Sequence, residues 1–300
     1  MSRINILVTG ASGLLGRYLL KSQRKHSLFL AKHSAPISGV LGFKEIKLDI
    51  TKKGELEKVF SENSFDACIH AASIGNVDEC EKNRELAFRT NAEATENLAK
   101  LCEEHATKMV YTSTNAVFDG RKNIYSELDT PKPLNYYGKT KLLGEKAVEN
   151  ASSENAVLRL NTMYGWNNEG ERGNPATWCI QMLRQKKQIK VVDDIYNNHL
   201  YAGSAAEAVW KCIELKESGL FHVAGAECVD RYSFSVKVAE VFGLDSKLIF
   251  PVKNSFFKEI APRPMKTCYS TEKMEKALKF KPLSLLNGLS LMKEEEQLLH

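Results

Sequence analysis

No stretch of this sequence approaches the run of about 20 apolar residues that a helix needs to cross a bilayer. Met1 to Val8 enters a strand pattern directly, without a charged and apolar leader, so neither membrane insertion nor secretion is expected. The seven cysteines include no CxxC pair, are odd in number and lie mostly in apolar stretches, which suits core thiols in a reducing cytoplasm. The seven histidines form no HxxxH or His/Cys cluster at ligand spacing; no metal is indicated, and only a loosely held Mg²⁺ on substrate phosphates stays open. Lysine and arginine outnumber acidic residues 42 to 37, but the net charge of +5 is scattered. Without a basic block or arginines interleaved with aromatics it reads as solvated faces, and no nucleic-acid partner is expected. There is no internal repeat and no biased tract.

What is present is the composition of an ordinary soluble globule, 43% hydrophobic and 26% charged, and 300 residues suffice for one large α/β domain or a core with a lobe. Short β-rich runs alternate with helical patterns through the first half. Strands are expected at Ile4 to Val8, Leu28 to Leu30, Glu45 to Lys47, Ala67 to His70, Met109 to Thr112 and Ala156 to Leu160. Helices are expected from about Gly13, over Arg84 to Glu104 and over Asn135 to Asn150. Such alternation implies a Rossmann-type, doubly wound parallel sheet covered by helices on both faces. After Leu160 the rhythm loosens into a Gly/Asn-rich loop from Tyr164 to Pro175, helices at Thr177 to Gln185 and Ser204 to Leu215, and a strand at Phe221 to Val223. The division expected is a dinucleotide-binding domain over 1–160 and a smaller substrate-binding lobe over 161–300, partly interleaved with the core.

Val8 to Gly16 reads Val-Thr-Gly-Ala-Ser-Gly-Leu-Leu-Gly, a GxxGxxG turn between the first strand and the first helix. Gly10 permits the tight turn, Gly13 lets the backbone approach a pyrophosphate, and Gly16 lets the helix pack closely on the strand. Ser12 and Leu14 belong to the same cofactor-facing turn, where the helix N-terminus offers amide donors to phosphate. The second strand ends in Leu30-Ala31-Lys32-His33, without the carboxylate that takes ribose hydroxyls in NAD-binding versions. Lys32 and His33 can meet a 2′-phosphate, which favours NADPH and leaves NADH open. Asp49 and Ile50, after the third strand, are expected near the adenine, where Asp49 can bind its amino group or instead cap the next helix.

Tyr137 and Lys141 stand at i and i+4, on one face of a helix, and a nearby ammonium favours the phenolate and lowers a tyrosine pKa. Tyr269 and Lys273 repeat that spacing by chance. Context separates the two pairs, because Tyr137 follows the fifth strand, whose C-terminal end carries Ser113 and Thr114, and ligands in open α/β sheets bind at such ends. Thr114, with Ser113 as rival, can hydrogen-bond a substrate carbonyl as Tyr137 protonates it.

Together these residues resemble the extended short-chain dehydrogenase/reductases, and more narrowly the dTDP-4-dehydrorhamnose reductase group of nucleotide-sugar enzymes. The resemblance also rests on His70-Ala71-Ala72-Ser73, Val77 to Glu81, the run Ser113 to Gly120, Pro133-Leu134-Asn135, Arg159 to Gly165, and Ala261-Pro262-Arg263-Pro264. It implies reduction of a 4-keto group on a nucleoside-diphosphate 6-deoxyhexose, with Thr114, Tyr137 and Lys141 as the catalytic set. It further implies that Ala71, Ala72 and Ser73 lie along the cofactor, that Asn91 positions cofactor and lysine, and that Ser113, Asn115, Trp178 and Arg263 face substrate. The family's Asp-Tyr pair is replaced by Asn115-Ala116, its loop aromatic by Thr162, and an expected Asn by Thr177. Asn115-Ala116 also lacks the acid pair of the related 4,6-dehydratases, and Cys80 and Cys102 lack the histidine partners of the 3,5-epimerase/4-reductases. Simple reduction, in deoxysugar and surface-polysaccharide synthesis, is the resulting expectation. An epimerase retaining NAD stays open, as does a non-catalytic subunit like the regulatory subunit of methionine adenosyltransferase. A homodimer stays open as an assembly.

Overall fold

Aliphatic residues on successive positions of each short strand point to opposite faces, and here both faces are buried. Ile6 and Val8 pack with Ile69, Val110 and Leu158 on one side. Their neighbours Leu7, Cys68, Met109, Tyr111 and Val157 pack on the other. That is why the strands read as continuous apolar runs. The computed structural model describes residues 3–22, 24–33, 43–167, 171, 173–258 and 260–297. The Gly/Asn-rich loop expected over Tyr164 to Pro175 thus lies partly outside the described residues, at 168–170 and 172.

The first half runs β1 (Asn5–Thr9), α1 (Leu14–Lys21), β2 (Ser27–Lys32), β3 (Lys44–Lys47), α2 (Lys53–Glu62), β4 (Ala67–His70), α3 (Val77–Lys82), α4 (Arg84–Phe88), α5 (Ala94–Glu104), β5 (Lys108–Thr114), α6 (Tyr136–Ala151) and β6 (Ala156–Leu160). The second half runs β7 (Met163–Tyr164), α7 (Pro175–Arg184), β8 (Ile189–Val192), β9 (Tyr196–Asn197), β10 (Leu200–Tyr201), α8 (Ala202–Glu214), β11 (Gly219–Val223), β12 (Val229–Asp230), α9 (Arg231–Phe242), β13 (Ile249–Val252), α10 (Glu272–Leu278) and α11 (Leu285–Gln297). The central sheet has the order β11-β6-β5-β4-β1-β2-β3, and every pairing in it is parallel. This is the doubly wound α/β fold. The strand order reverses between β1 and β4, which opens a crevice at their C-terminal ends.

One expected helix is divided. Arg84 to Glu104 is a single helical run interrupted by a π turn over Arg89–Glu93. The turn presents Asn91, whose Oδ1 accepts from the Ile74 amide at 2.8 Å and whose Nδ2 donates to Ile74 O at 3.2 Å. Wide turns of this kind are frequent at functional sites.

The chain beyond Leu160 both builds a lobe and returns to the sheet, since β11 pairs with β6. The lobe carries small strand pairs, β8 with β13 and β9 with β12. Helix α11 straps it to the core: Tyr18 of α1 and Tyr201 of β10 both donate to Glu295, at 2.6 and 2.7 Å, and Lys21 pairs with the same carboxylate at 2.8 Å. The cysteines depart from the expectation of unpaired thiols throughout. Cys228 and Cys268 form a disulfide across 40 positions, because the late segment folds back beside β12, whereas Cys68, Cys80, Cys102, Cys179 and Cys212 are free and buried. Among the described residues no helix is long and apolar enough to cross a membrane.

Candidate active site

Gly10 adopts φ +73°, the left-handed region that glycine tolerates, and a Cβ there would lie 2.6 Å from the Ala71 and Ala72 backbones. Gly16 is equally constrained, since its Cβ would meet Ala11 O at 2.3 Å. Gly13 differs: an added Cβ would meet nothing nearer than Gly10 O at 3.5 Å. Its missing side chain therefore serves the cavity in front of the turn rather than the packing behind it. Gly13 is also the N-cap of α1, and having no side chain it gives the first amides of the helix no cap. The ends of β1 and β4 are tied by Thr9 Oγ1, which lies 2.6 Å from His70 Nδ1 and accepts from the Ala72 amide at 3.3 Å.

A cavity of about 630 Å³ lies at these strand ends and joins the turn to the lobe. Gly10, Gly13, Leu14, Ala71 and Ser73 line its end at the glycine turn; Ser113, Thr114, Asn115, Tyr137, Lys141 and Arg263 also face it. The tyrosine and lysine are delivered by α6, which Asn135 caps by accepting from the Gly138 amide at 2.9 Å while its Nδ2 holds Pro262 O at 2.9 Å. The cap thus fixes α6 and the late Arg263 segment together.

Burial is the main influence on both titrating groups. It pushes the Tyr137 phenol up to about 12, against a hydrogen bond with Thr114 that lowers it. Burial pushes the Lys141 amine down to about 7, against the raising effect of Glu145 and Cys80. The sequence reading expected Lys141 to lower the tyrosine pKa. In the fold its Nζ rests 4.2 Å over the Tyr111 ring, and desolvation of the phenol outweighs any such help. Tyr137 is accordingly a protonated donor at neutral pH.

The rivalry between the two hydroxyls has a geometric reading. Ser113 donates to Glu145, which is also held by Arg159, whereas Thr114 donates to Asn115 Oδ1 at 3.3 Å and is close enough to the Tyr137 phenol to lower its pKa. Asn91 donates to Thr140 Oγ1 at 3.2 Å, on the residue before Lys141, so it braces α6 one position from the lysine. Among the described residues Ser12, Gly16, Lys32, His33, Asp49, Ile50 and Ala72 do not line the cavity. Lys32 pairs with Glu45 at 3.3 Å and His33 approaches Asp49 at 3.6 Å. Asp49 turns the chain toward α2 by accepting from the Thr51 amide at 3.0 Å, and Ile50 packs against the core. Trp178 opens onto a neighbouring cavity of about 500 Å³ shared with Arg231 and Phe257. Arg263 pairs with Asp78 at 3.0 Å, drawing the late segment onto α3. The chance pair stays away: Tyr269 stacks on His222 at 3.9 Å in the core, and Lys273 lies over Phe221.

Sequence reasoning missed Asn161, Asn174, Asn197, Arg231 and Thr267, all of which line the cavity. Asn174 carried a signal, an N-cap residue before Pro175 at the first helical position. Asn197 and Thr267 lie where no periodicity marks them. Among the described residues no group of three or more His, Cys, Asp or Glu is placed to hold a metal.

Comparison with known proteins follows the same lines. The family model described as RmlD substrate binding domain matches residues 4–297. A Haloferax volcanii protein described as "probable low-salt glycan biosynthesis reductase" is 30% identical over 273 residues, covering 89% of this chain and 90% of that one. The Xenopus laevis methionine adenosyltransferase 2 subunit beta is 28% identical over 283 residues, covering 90% and 81%. The crystal structure of dTDP-4-dehydrorhamnose reductase from Bacillus anthracis, in complex with NADP, superposes with a TM-score of 0.88 at 26% identity, covering 98% of this chain and all of that one.

Proposed function

The chain belongs to the RmlD substrate binding domain family, and from that membership we propose that it is an NADPH-dependent reductase of a sugar nucleotide. The acceptor proposed is the 4-keto group of a nucleoside-diphosphate 6-deoxyhexose, in the synthesis of a deoxysugar for surface polysaccharide. One observation carries the reading: Tyr137, in contact with Thr114 and one helical turn before Lys141, faces the same cavity as the glycine turn. The open space at Gly13 and the uncapped start of α1 fit a pyrophosphate.

Bound NADPH supplies a hydride to the carbonyl carbon. Tyr137 donates its phenolic proton to the carbonyl oxygen, and its raised pKa keeps that proton in place until charge develops. The Thr114 hydroxyl supports the same oxygen, and the Lys141 ammonium would hold the ribose. Asn115 and Ala116 face the cavity where a dehydratase would need an acid pair. Cys80 donates to Ile74 O, and burial pushes its thiol up to about 11, so it offers no thiolate base for epimerisation.

A non-catalytic dinucleotide-binding subunit is the second reading, favoured by the 28% identity to the methionine adenosyltransferase subunit. Turnover separates the two. Wild type incubated with NADPH and dTDP-4-keto-6-deoxy sugars is expected to consume NADPH, and Tyr137→Phe to do so about 10²–10⁴ times more slowly. If both are equally inert across several such sugars while NADPH still binds, the reductase reading gives way to the binding subunit.

A further inference from the structure

The last helix of the chain holds a segment that borders the reaction centre. Thr114 of β5 is paired in register with Leu160 of β6. The chain continuing from Leu160 supplies Thr162, Met163 and Asn167 to the cavity that Tyr137 and Lys141 also face. Strands β5 and β4 separate β6 from β1, so this segment leaves the sheet on the side of Thr114 away from the glycine turn. With a dinucleotide at the glycine turn, that side is left for the sugar nucleotide.

Three contacts fix where the segment lies. The Trp166 amide donates to Tyr18 Oη at 2.9 Å, and the Trp166 indole donates to Met292 O of α11 at 2.6 Å. The Gly165 backbone lies so close to the Tyr18 ring that an added Cβ would come within 2.8 Å of Oη and 2.9 Å of Cζ. Gly165 is not among the glycines with positive φ, so it is the close approach to Tyr18, and not the backbone conformation, that calls for glycine there.

Tyr18 is itself held in one orientation. Glu295 of α11 accepts its proton at 2.6 Å and is fixed in turn by Tyr201 at 2.7 Å and Lys21 at 2.8 Å. Burial first, and the Glu295 carboxylate second, push the Tyr18 phenol well above its usual range, so the proton stays on that bond and a lone pair is left for the Trp166 amide. Tyr18 is 3% exposed and the Glu295 side chain 14%, so water competes little for these bonds.

Resting on the reductase reading, we infer that Tyr18 is a positioning residue for the sugar nucleotide, oriented by Glu295 of the last helix. Its hydroxyl and ring set where Thr162 to Asn167 stand against the substrate. Among the described residues neither Tyr18 nor Glu295 lines the cavity, so both act through that segment. Because Tyr18 lies on the helix that begins at the glycine turn, the same contact also fixes the segment relative to α1.

The test measures KM for dTDP-4-keto-6-deoxyglucose, kcat per NADPH-binding site and NADPH affinity by fluorescence. The proteins compared are wild type, Tyr18→Phe, Glu295→Gln, Gly165→Ala and the double variant Tyr18→Phe/Gly165→Ala. Tyr18→Phe keeps the ring and loses only the hydroxyl; it is expected to raise KM by about 5- to 10-fold, with kcat and NADPH affinity within about 2-fold of wild type. Glu295→Gln leaves one acceptor oxygen for three donors and is expected to move KM the same way. Gly165→Ala is expected to raise KM as well, and the double variant no further than the worse single one, because both act through one contact. KM does not depend on the fraction folded. Tyr18→Phe or Glu295→Gln with a wild-type KM overturns the inference. A fall in kcat or NADPH affinity as large as the rise in KM also overturns it, since that marks a general structural role. A wild type that reduces no such sugar overturns the reductase reading, and this inference with it.

Discussion

Arg159 grips Glu145 through two nitrogens, Nε at 2.9 Å from Oε1 and Nη2 at 2.7 Å from Oε2, in a buried pair beside Ser113. Strand β6 supplies the arginine and helix α6 the carboxylate, which sits one turn beyond Lys141. Ser113 donates to the same carboxylate, so the pair aligns β5, β6 and α6 at one point.

Breaking this pair from one side leaves a charge buried without its partner. Glu145→Gln is expected to lower unfolding free energy by about 3–5 kcal/mol, whereas replacing both residues by apolar ones of similar volume is expected to cost much less. Urea denaturation of the single and double variants reads the difference.

Ser113 and Thr114 are expected to behave differently although adjacent. Thr114→Val removes the hydroxyl that touches Tyr137 and should lower kcat by about 10²–10³, with little change in stability. Ser113→Ala leaves one Glu145 oxygen short of a donor and should lower stability by about 1 kcal/mol while leaving kcat within a few-fold. Equal losses of kcat in the two variants would assign the carbonyl contact to neither hydroxyl in particular.

The alkaline limb of activity is expected to belong to the lysine. With Tyr137 pushed up to about 12, the phenol stays protonated through the working range. Lys141, pushed down to about 7, is an ammonium below that pH and loses its charge above it. NADPH affinity should therefore weaken as pH rises through about 7, and Lys141→Met should remove this pH dependence. Fluorescence titrations of the two proteins between pH 6 and 9 check it.

Three buried histidines set an acid limit on stability. Burial pushes His70, His199 and His222 down to about 3, so in the folded chain they are neutral at pH values where the unfolded chain protonates them below about 6.5. The unfolded state then binds more protons, and stability is full above pH 6.5 and falls as pH drops toward 3. Well inside that window the three together cost about 4 kcal/mol per pH unit. His199 lies flat on Phe234 at 3.9 Å with neither ring nitrogen bonded among the described residues, so His199→Phe is the variant to use. Its urea midpoint should depend on pH by about a third less than wild type between pH 6 and 5.

Much of the core could be read directly. Ala67–His70 and Ala156–Leu160 coincide with the strands expected, because a strand buried on both faces is apolar at nearly every position, His70 and Arg159 excepted, and is short enough to be bounded by turns. The π turn at Arg89–Glu93 was not legible, since it arises from Asn91 reaching a backbone 17 positions away. The disulfide was hidden for a similar reason: nothing near Cys228 indicates that Cys268 returns to it.

The sequence by itself determined the sheet, the glycine turn and the placing of Tyr137 and Lys141 on one face, because each depends on local spacing: period two, period 3.6, or a fixed run of residues. Only the tertiary structure decided which hydroxyl meets the phenol, how burial moves the tyrosine and lysine in opposite directions, and that Glu295 of the last helix reaches Tyr18 of the first. Those are properties of space between segments, set by long-range packing and by the exclusion of water, and neither is written in the neighbours of any one residue.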